Sequence, residues 1–206
     1  MNKTLIDTVK NKNLTLVAVT KNHTKEEVDQ LAALGCDLFG ENRVQEFLTK
    51  YDPKYHWHLI GHLQTNKVKY VVGKVDVIES VDSCKLAKEI EKQAKKADIV
   101  QDVYVEIKIS ETDTAKSGIP MDQAMELLEQ IEALPHVRCT GLMTIATNTR
   151  DEHLLRREFS EMQAFYQKAR SQYPTLCACS MGMSQDWHLA AQYGSTHVRI
   201  GRALFE

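Results

Sequence analysis

The amino-acid sequence predicts an α/β protein in which eight β-strands and the helices between them close into a single (β/α) barrel, the TIM-barrel architecture. Short runs of β-branched and apolar residues alternate with longer amphipathic runs, as in βα units on a parallel sheet. No Pro/Ser-rich linker or low-complexity segment divides the 206 residues, so residues 1–206 are expected to form one domain. Eight strands favour the closed barrel. Periodicity alone leaves an open, doubly wound sheet as the alternative.

The strand candidates are short and mostly apolar, as expected for strands that are covered on both faces. In order along the chain they are Thr15–Thr20, Leu38–Gly40, Trp57–Ile60, Val75–Ile78, Val103–Ile109, Gly141–Ile145, Cys177–Ser180 and His197–Ile200.

Helix signals lie between these runs. Thr24 is followed three residues later by Glu27, which is the spacing of a capping box. After Asp151, apolar residues recur every three or four positions and form one stripe, which predicts an amphipathic helix. Pro120 is expected at the first helical position of another helix.

The composition excludes several classes of function. The chain carries 26 basic and 28 acidic residues, a net charge of −2, and 43% hydrophobic residues. A general nucleic-acid or membrane surface needs clustered basic charge, and the densest basic stretch, Lys85 to Lys96, is interleaved with glutamates. We therefore interpret that stretch as a solvated helix face and expect neither nucleic acid nor a membrane as partner.

The cysteines and the N-terminus favour a cytoplasmic location. The five cysteines are odd in number and scattered, which is not typical of a disulfide framework, so reduced thiols are expected. The spacing of Cys177 and Cys179 is not that of a C-x-x-C motif, and both are expected to be buried. The first residues show no apolar signal-peptide region, and no run approaches the roughly 20 residues of a membrane span.

Polar residues and glycines follow several strands at the end where a (β/α) barrel carries its active site. They are Lys21 after strand 1, Gly40–Arg43 after strand 2, Gly61 to Lys67 after strand 3, Ser180–Ser184 after strand 7, and Arg199, Gly201 and Arg202 at strand 8. Because these ends meet at one rim, the sequence predicts a binding site there.

The last two strand ends predict an anion site. Ser180 offers a hydroxyl donor, and Gly182 and Gly201 let a backbone approach a ligand closely. Ser184 is expected to start a helix through Gln185–Tyr193 whose free N–H groups face the anion. Nucleotide phosphate loops of the usual glycine patterns are not found, so a phosphate monoester on a smaller cofactor fits better.

Lys21 is the candidate nucleophile. It follows an apolar run and opens onto the predicted rim, where partial burial would favour its uncharged, nucleophilic form. A lysine beside an anion site suggests either pyridoxal 5′-phosphate (PLP) or an aldolase-type Schiff base. The residues alone leave that choice open.

Six segments together resemble the YggS/PROSC family, the PLP homeostasis proteins. They run from about Leu16 to Phe205 and read VAVTK, FGENRVQE, WHLIGHLQTNK, GLMTIA, SMGMSQDW and STHVRIGRALF. The resemblance implies a fold-type III PLP domain like the N-terminal barrel of alanine racemase. It implies that Lys21 carries PLP as a Schiff base, that Ser180 and the backbone at Gly182 and Gly201 hold the phosphate, and that Arg199 faces the pyridine nitrogen. Asn42 lies in the matching GEN motif at the pocket rim.

Arg199 has a chemical consequence if the resemblance holds. An arginine only donates hydrogen bonds, so a pyridine nitrogen beside it stays unprotonated and the ring is a weak electron sink. The chain also ends at Glu206, with no room for the second domain that supplies a tyrosine base in alanine racemase. We therefore expect a PLP-binding protein of intracellular PLP homeostasis without established catalytic turnover. The alternative is a PLP-dependent amino-acid racemase of reduced form.

Other expectations complete the sequence-based prediction. PLP is the expected cofactor, PLP-requiring apoenzymes are possible partners, and the protein is expected to be a monomer. The chain departs from the family in two places: the short N-terminus predicts a trimmed helix before strand 1, and the ALFE ending lacks the glycine that commonly follows the phenylalanine in the family. His56, His58 and His62 lack a convincing further ligand by spacing, so no metal site is expected.

Overall fold

The protein is described by a computed structural model that covers residues 1–110 and 117–206. Strands alternate with helices along almost the whole chain. The strands are β1 (Thr15–Val19), β2 (Leu38–Glu41), β3 (His56–Leu59), β4 (Val77–Val81), β5 (Gln101–Lys108), β6 (Ile119–Pro120), β7 (Val137–Thr144), β8 (Ala178–Met183) and β9 (His197–Ile200). The helices are α1 (Lys3–Asn11), α2 (Lys25–Ala33), α3 (Val44–Lys50), a 3-10 helix (Thr65–Tyr70), α4 (Cys84–Ala97), α5 (Met121–Glu132), α6 (Glu152–Gln172), α7 (Trp187–Gln192) and α8 (Arg202–Phe205).

Eight of these strands form a closed parallel barrel. Their order is β4-β3-β2-β1-β9-β8-β7-β5, and the pairing of β4 with β5 closes the ring. The first strand pairs with the last, so that Val17 lies opposite Arg199. The two-residue strand β6 is an addition at the edge of β5. The predicted (β/α) barrel is confirmed, and the open sheet is excluded.

The predicted strands all occur, with shifts at two that matter for the site. β4 spans Val77–Val81 rather than Val75–Ile78, and β8 extends to Met183 rather than ending at Ser180. Both contain a register shift against a neighbouring strand, between Ile78 and Val81 and between Ser180 and Met183. Such irregularities interrupt the simple alternation on which strand prediction depends.

Two of the predicted helix starts are confirmed. Thr24 and Glu27 form the capping box of α2, with Glu27 Oε2 accepting from the Thr24 N–H at 2.7 Å. Asp151 caps α6 and accepts from the His153 N–H at 2.9 Å. Pro120 lies one residue earlier than predicted, at the N-cap of α5.

The start of α7 was predicted wrongly. Ser184 was expected to begin a helix through Gln185–Tyr193, but α7 spans only Trp187–Gln192 and Asp186 is its N-cap residue. The Asp186 carboxylate instead accepts from the Met183 N–H at 2.5 Å. This bond closes a turn before the helix and leaves Ser184 in the loop.

Alternate residues of each strand face opposite sides of the barrel wall. On β1, Leu16 and Ala18 pack in the large core between barrel and helices, whereas Val17 and Val19 form a separate cluster with Leu38 and Ile60. A third cluster contains Val77, Tyr104, Met143 and Ala178. The two small clusters mark the barrel interior, and the large one marks the layer beneath the helices.

The two ends of the chain lie together. Helix α1 precedes β1, and the Asn2 N–H donates to the Leu204 carbonyl oxygen at 2.8 Å, which ties α1 to α8.

Within residues 1–110 and 117–206, no helix combines the length and the apolar character that a membrane crossing requires.

All five cysteines are unpaired. Cys179 is buried as expected, but the prediction that Cys177 is buried was wrong: this residue lies just before β8 and is exposed. The lysines of the basic stretch are exposed on α4, which confirms the solvated helix face.

Candidate functional site

A cavity of about 680 Å³ lies at the carboxyl ends of the barrel strands, where the sequence predicts a site. This size is typical of small-molecule and cofactor sites. Its lining comes from the ends of β1, β2, β3, β7, β8 and β9 and from α6 and α8. The lining residues are Val19, Lys21, Asn42, Ile60, Ile145–Thr149, Leu155, Met183–Asp186, Arg199, Gly201–Ala203 and Glu206.

Lys21 reaches the cavity because it continues the inward-facing alternation of β1. Val17 and Val19 face the barrel interior, and Lys21 is the next residue of that series. Its side chain is exposed rather than partly desolvated, contrary to the expectation from sequence. The amine therefore stands at the open side of the cavity.

Arg199 forms a buried part of the cavity wall, on β9, the strand next to β1. Only 3% of this residue is exposed, and its guanidinium donates to Ser180 Oγ at 2.6 Å and to the Thr144 carbonyl oxygen at 2.7 Å. Glu79 Oε2 lies 3.9 Å from the same guanidinium. The side chain is thus fixed in one orientation and has a counter-charge inside the barrel.

Glu79 was missed by the sequence analysis. It is fully buried, and its carboxylate accepts from Ser180 Oγ at 2.7 Å and lies 2.6 Å from a ring nitrogen of His58. Burial alone raises a carboxyl pKa, but the His58 hydrogen bond and the Arg199 charge outweigh it and hold the pKa of Glu79 below its ordinary value. An ionised Glu79 therefore balances the charge of Arg199.

The sequence did contain a signal for Glu79. In the run Val77-Ile78-Glu79-Ser80 it has the inward parity of Val77, but the predicted strand stopped one residue too early. A carboxylate at an inward strand position needs a partner of opposite charge, and Arg199, already predicted at the rim, was the residue to pair it with.

Ser180 and Gly182 lie behind the cavity wall. The Ser180 hydroxyl is fully buried and is already shared between Arg199 and Glu79. Gly182 has φ +96°, and a Cβ there would lie 2.6 Å from Ala190 Cβ, so the glycine permits close packing of α7 on β8. The residues of this segment that line the cavity are Met183, Ser184, Gln185 and Asp186.

Gly201 does line the cavity, where the chain turns from β9 into α8. A Cβ at this position would lie 3.2 Å from the Val19 carbonyl oxygen, a tight contact with the strand that leads to Lys21. Arg202, the next residue, is exposed at the same rim. The glycine backbone of Gly201 and the positive charge of Arg202 therefore lie side by side at this end of the cavity.

Asn42 lies on the cavity wall with a buried amide oxygen. Among the described residues that oxygen has no hydrogen-bond partner. Its backbone is held against Gly61, where a Cβ would lie only 2.3 Å from the Asn42 carbonyl oxygen. The backbone of Asn42 is therefore fixed, and its side-chain oxygen is a buried acceptor at the cavity wall.

The tyrosines do not supply a second acid or base at the site. None of the seven lines the cavity within the described part of the chain. Tyr104 lies deep in the barrel, 4% exposed, near His58 and His197, and burial raises its pKa. Burial also lowers the pKa of His197 to about 4, so that histidine is neutral.

The three histidines considered for a metal are used separately. His56 is exposed and lies 3.0 Å from Asp76, His58 binds Glu79, and His62 lies 3.7 Å from Asp82. No group of three or more His, Cys, Asp or Glu residues suited to a metal ion occurs in residues 1–110 and 117–206.

Comparison with known proteins finds relatives that match almost the whole chain. The family model for the alanine racemase N-terminal domain matches residues 2–206. A protein of Aquifex aeolicus named pyridoxal phosphate homeostasis protein is 41% identical over 195 residues, which cover 92% of this chain and 85% of that protein. The chain belongs to the family of pyridoxal phosphate homeostasis proteins. The resemblance to the YggS/PROSC family is thereby confirmed.

Solved structures of a family member agree with this assignment. PipY of Synechococcus elongatus without PLP matches with a TM-score of 0.92 and 32% identity, over the full length of both chains. The structure of PipY with PLP bound matches with a TM-score of 0.89 and 30% identity, again over both full lengths. The fold of the present chain is therefore that of the family.

Proposed function

We propose that this chain binds PLP reversibly through Lys21 and serves in intracellular PLP homeostasis by holding the cofactor and passing it on. The observation that carries the proposal is one cavity with the Lys21 amine on its open side and the fixed Arg199 guanidinium on its buried side. The family assignment and the PLP-bound structure of PipY support the same ligand.

The residues present fit the groups of PLP. When bound, PLP supplies an aldehyde that a lysine amine can attack, and Lys21 offers that amine as the Schiff-base residue. The Arg199 guanidinium can donate to a pyridine nitrogen. The buried, unpartnered oxygen of Asn42 provides an acceptor for a ligand donor.

The phosphate is proposed to bind where β8 and β9 end. Ser184 and the backbone at Gly201 line the cavity there, and Arg202 adds positive charge at the rim. Ser180 and Gly182 do not line the cavity and act indirectly. The Ser180 hydroxyl orients Arg199, and Gly182 lets α7 pack closely enough on β8 to position the loop that contains Ser184. Direct contact of Ser180 with phosphate remains a prediction of the family resemblance.

Weak turnover is expected from the same geometry. Arg199 only donates hydrogen bonds, so it favours an unprotonated pyridine, which stabilises carbanions poorly. Its charge is already balanced by Glu79 inside the barrel. A racemase also needs a second acid or base, and none of the tyrosines lines the described cavity.

The proposal is tested by absorbance titration of the purified protein with PLP. We expect a near-visible Schiff-base band that Lys21→Ala abolishes and that Lys88→Ala, an exposed lysine of α4, leaves unchanged. A band that survives Lys21→Ala would exclude Lys21 as the Schiff-base residue.

Deuterium exchange at Cα of several amino acids tests the racemase alternative. We expect exchange far slower than in ordinary racemases. Rapid exchange would contradict the proposed holding function and favour the enzyme.

The remaining proposals concern the location, the oligomeric state and the partner proteins. A cytoplasmic location accords with five unpaired cysteines. A monomer and PLP-requiring apoenzymes as acceptors are proposed from the sequence analysis. Light scattering after size-exclusion chromatography measures the first, and recovery of apoenzyme activity on mixing with the PLP-loaded protein measures the second.

A further inference from the structure

A buried ion pair holds the backbone immediately before Lys21. Thr20 faces outward beneath α3, and its hydroxyl donates to Glu41 Oε1 at 2.6 Å. Lys50 Nζ donates to the same oxygen at 2.5 Å and to the Thr20 carbonyl oxygen at 2.7 Å. Glu41 is fully buried and Lys50 is 4% exposed. The side chain and the carbonyl group of Thr20 are therefore both fixed.

The residue after Lys21 is held by the same helix. The Asn22 N–H donates to Glu46 Oε2 at 3.0 Å, and this oxygen lies 4.0 Å from Lys50 Nζ, one turn further along α3. Asn22 has φ +64°, in the left-handed region that asparagine tolerates better than most residues. Both neighbours of Lys21 are thus fastened to α3, and the lysine lies at the turn between them.

A gain in the free energy of folding does not explain why the ion pair of Glu41 and Lys50 is buried. Removing two charges from water offsets most of what their attraction contributes, so a buried ion pair is weak support for stability. The second oxygen of Glu41 is also buried without a partner among the described residues. What the pair does supply is geometry, since it fixes the one peptide segment that aims Lys21 into the cavity.

We propose that Glu41, Glu46 and Lys50 are positioning residues that hold Thr20–Asn22 so that the Lys21 amine meets the ligand aldehyde in a reactive orientation. The inference rests on the proposed function. In the reaction, Lys21 Nζ forms a C=N bond with the aldehyde carbon, and the carbonyl oxygen leaves as water with the two amine protons. None of the three residues touches the reacting atoms; they act through the backbone of Thr20 and Asn22.

The experiment separates reaction from binding. The rate of Schiff-base formation is followed by stopped-flow absorbance after mixing with PLP. The affinity for pyridoxine 5′-phosphate, which has no aldehyde, is measured by calorimetry and reports the cavity alone. The variants are Lys50→Met, Glu41→Gln, the double variant and Glu46→Ala. Lys54→Met is the matched control, because Lys54 also pairs with carboxylates but is 56% exposed and does not contact Thr20.

We expect Lys50→Met and Glu41→Gln to slow Schiff-base formation about tenfold or more, since small misplacements of a reacting group have large rate effects. Glu46→Ala, on the more exposed side, is expected to slow it less. Affinity for pyridoxine 5′-phosphate should change by less than about twofold in each case, a difference of under ~0.5 kcal/mol. Lys54→Met should match the wild type in both measurements.

Several outcomes would overturn the inference. A folded Lys50→Met or double variant that forms the Schiff base at the wild-type rate excludes a positioning role. A variant that loses affinity for pyridoxine 5′-phosphate by as large a factor as it loses rate also excludes it, because such a loss indicates a general structural role. If the buried variants do not fold, an unchanged rate in Glu46→Ala overturns it. Failure of the proposed function is distinct, because the wild type itself would then form no Schiff base with PLP.

Discussion

Arg199 and Glu79 form a charge pair 3.9 Å apart inside the barrel, bridged by the Ser180 hydroxyl. The pair comes from strands β9 and β4, which are far apart in sequence and not adjacent in the ring. Because Arg199 also forms the buried wall of the cavity, the properties of the site depend on a carboxylate that does not line it.

Glu79→Gln is expected to destabilise the protein. Removing one partner of a buried pair leaves the other charge uncompensated, which costs about 3–5 kcal/mol. Urea unfolding measures the loss, with Glu89→Gln, on the surface helix α4, as the control. A change as small as that of the control would show that Arg199 does not depend on Glu79.

The fall in the free energy of unfolding at acidic pH should also depend on Glu79. Its folded-state pKa lies below the ordinary 4.5, so its contribution is present above pH 4.5 and is lost as the pH falls towards the folded-state value. We expect the wild type to lose stability more steeply than Glu79→Gln below pH 4.5. Urea midpoints at several pH values provide the measurement, and parallel curves would contradict the prediction.

His197 is expected to produce a second pH dependence. Burial lowers its pKa from 6.5 to about 4, so the unfolded chain binds the extra proton between these values. Stability is then full above pH 6.5 and declines as the pH falls towards 4. His197→Gln should flatten the curve in this window, and thermal unfolding across it is the test. The exposed His56, whose pKa is raised, is the control for substitution of a histidine.

Ser184→Ala and Ser180→Ala should have different effects. Ser184 lines the cavity, and a hydrogen bond to a charged group contributes about 1.5–3 kcal/mol, so its loss should weaken PLP binding about tenfold or more. Binding of pyridoxal, which lacks the phosphate, should not change. Ser180→Ala removes the bridge between Arg199 and Glu79 and should lower stability instead. Calorimetry with both ligands separates the two, and reversed effects would move the phosphate contact to Ser180.

Asn42→Ala should leave the ligand-free protein nearly as stable as the wild type. The substitution removes a buried acceptor without a described partner, which by itself costs about 1–3 kcal/mol, and so offsets the contacts that are lost. The stabilisation produced by PLP should shrink, because a ligand stabilises in proportion to the logarithm of its affinity. Melting temperatures with and without PLP test this, and an undiminished ligand effect would exclude Asn42 from the site.

The sequence by itself determined the barrel, the family and part of the cavity lining. The predicted strand ends were enough to place Lys21, Asn42, Arg199 and Gly201 at one rim, because the parallel strands of a closed barrel end together. These inferences depend on local pattern, which a single chain carries.

Only the tertiary structure decided which buried residues contact the residues of that rim. β4 and β8 each carry a register shift against a neighbouring strand, and the predicted strands ended before Glu79 and at Ser180, so the strand patterns did not reveal that these two residues are hydrogen-bonded. The links from Lys50 to Glu41 and Thr20 join a helix to two strands. Such contacts depend on how the helix packs on the barrel, so the distances that orient Lys21 and Arg199 arise only when the ring has closed.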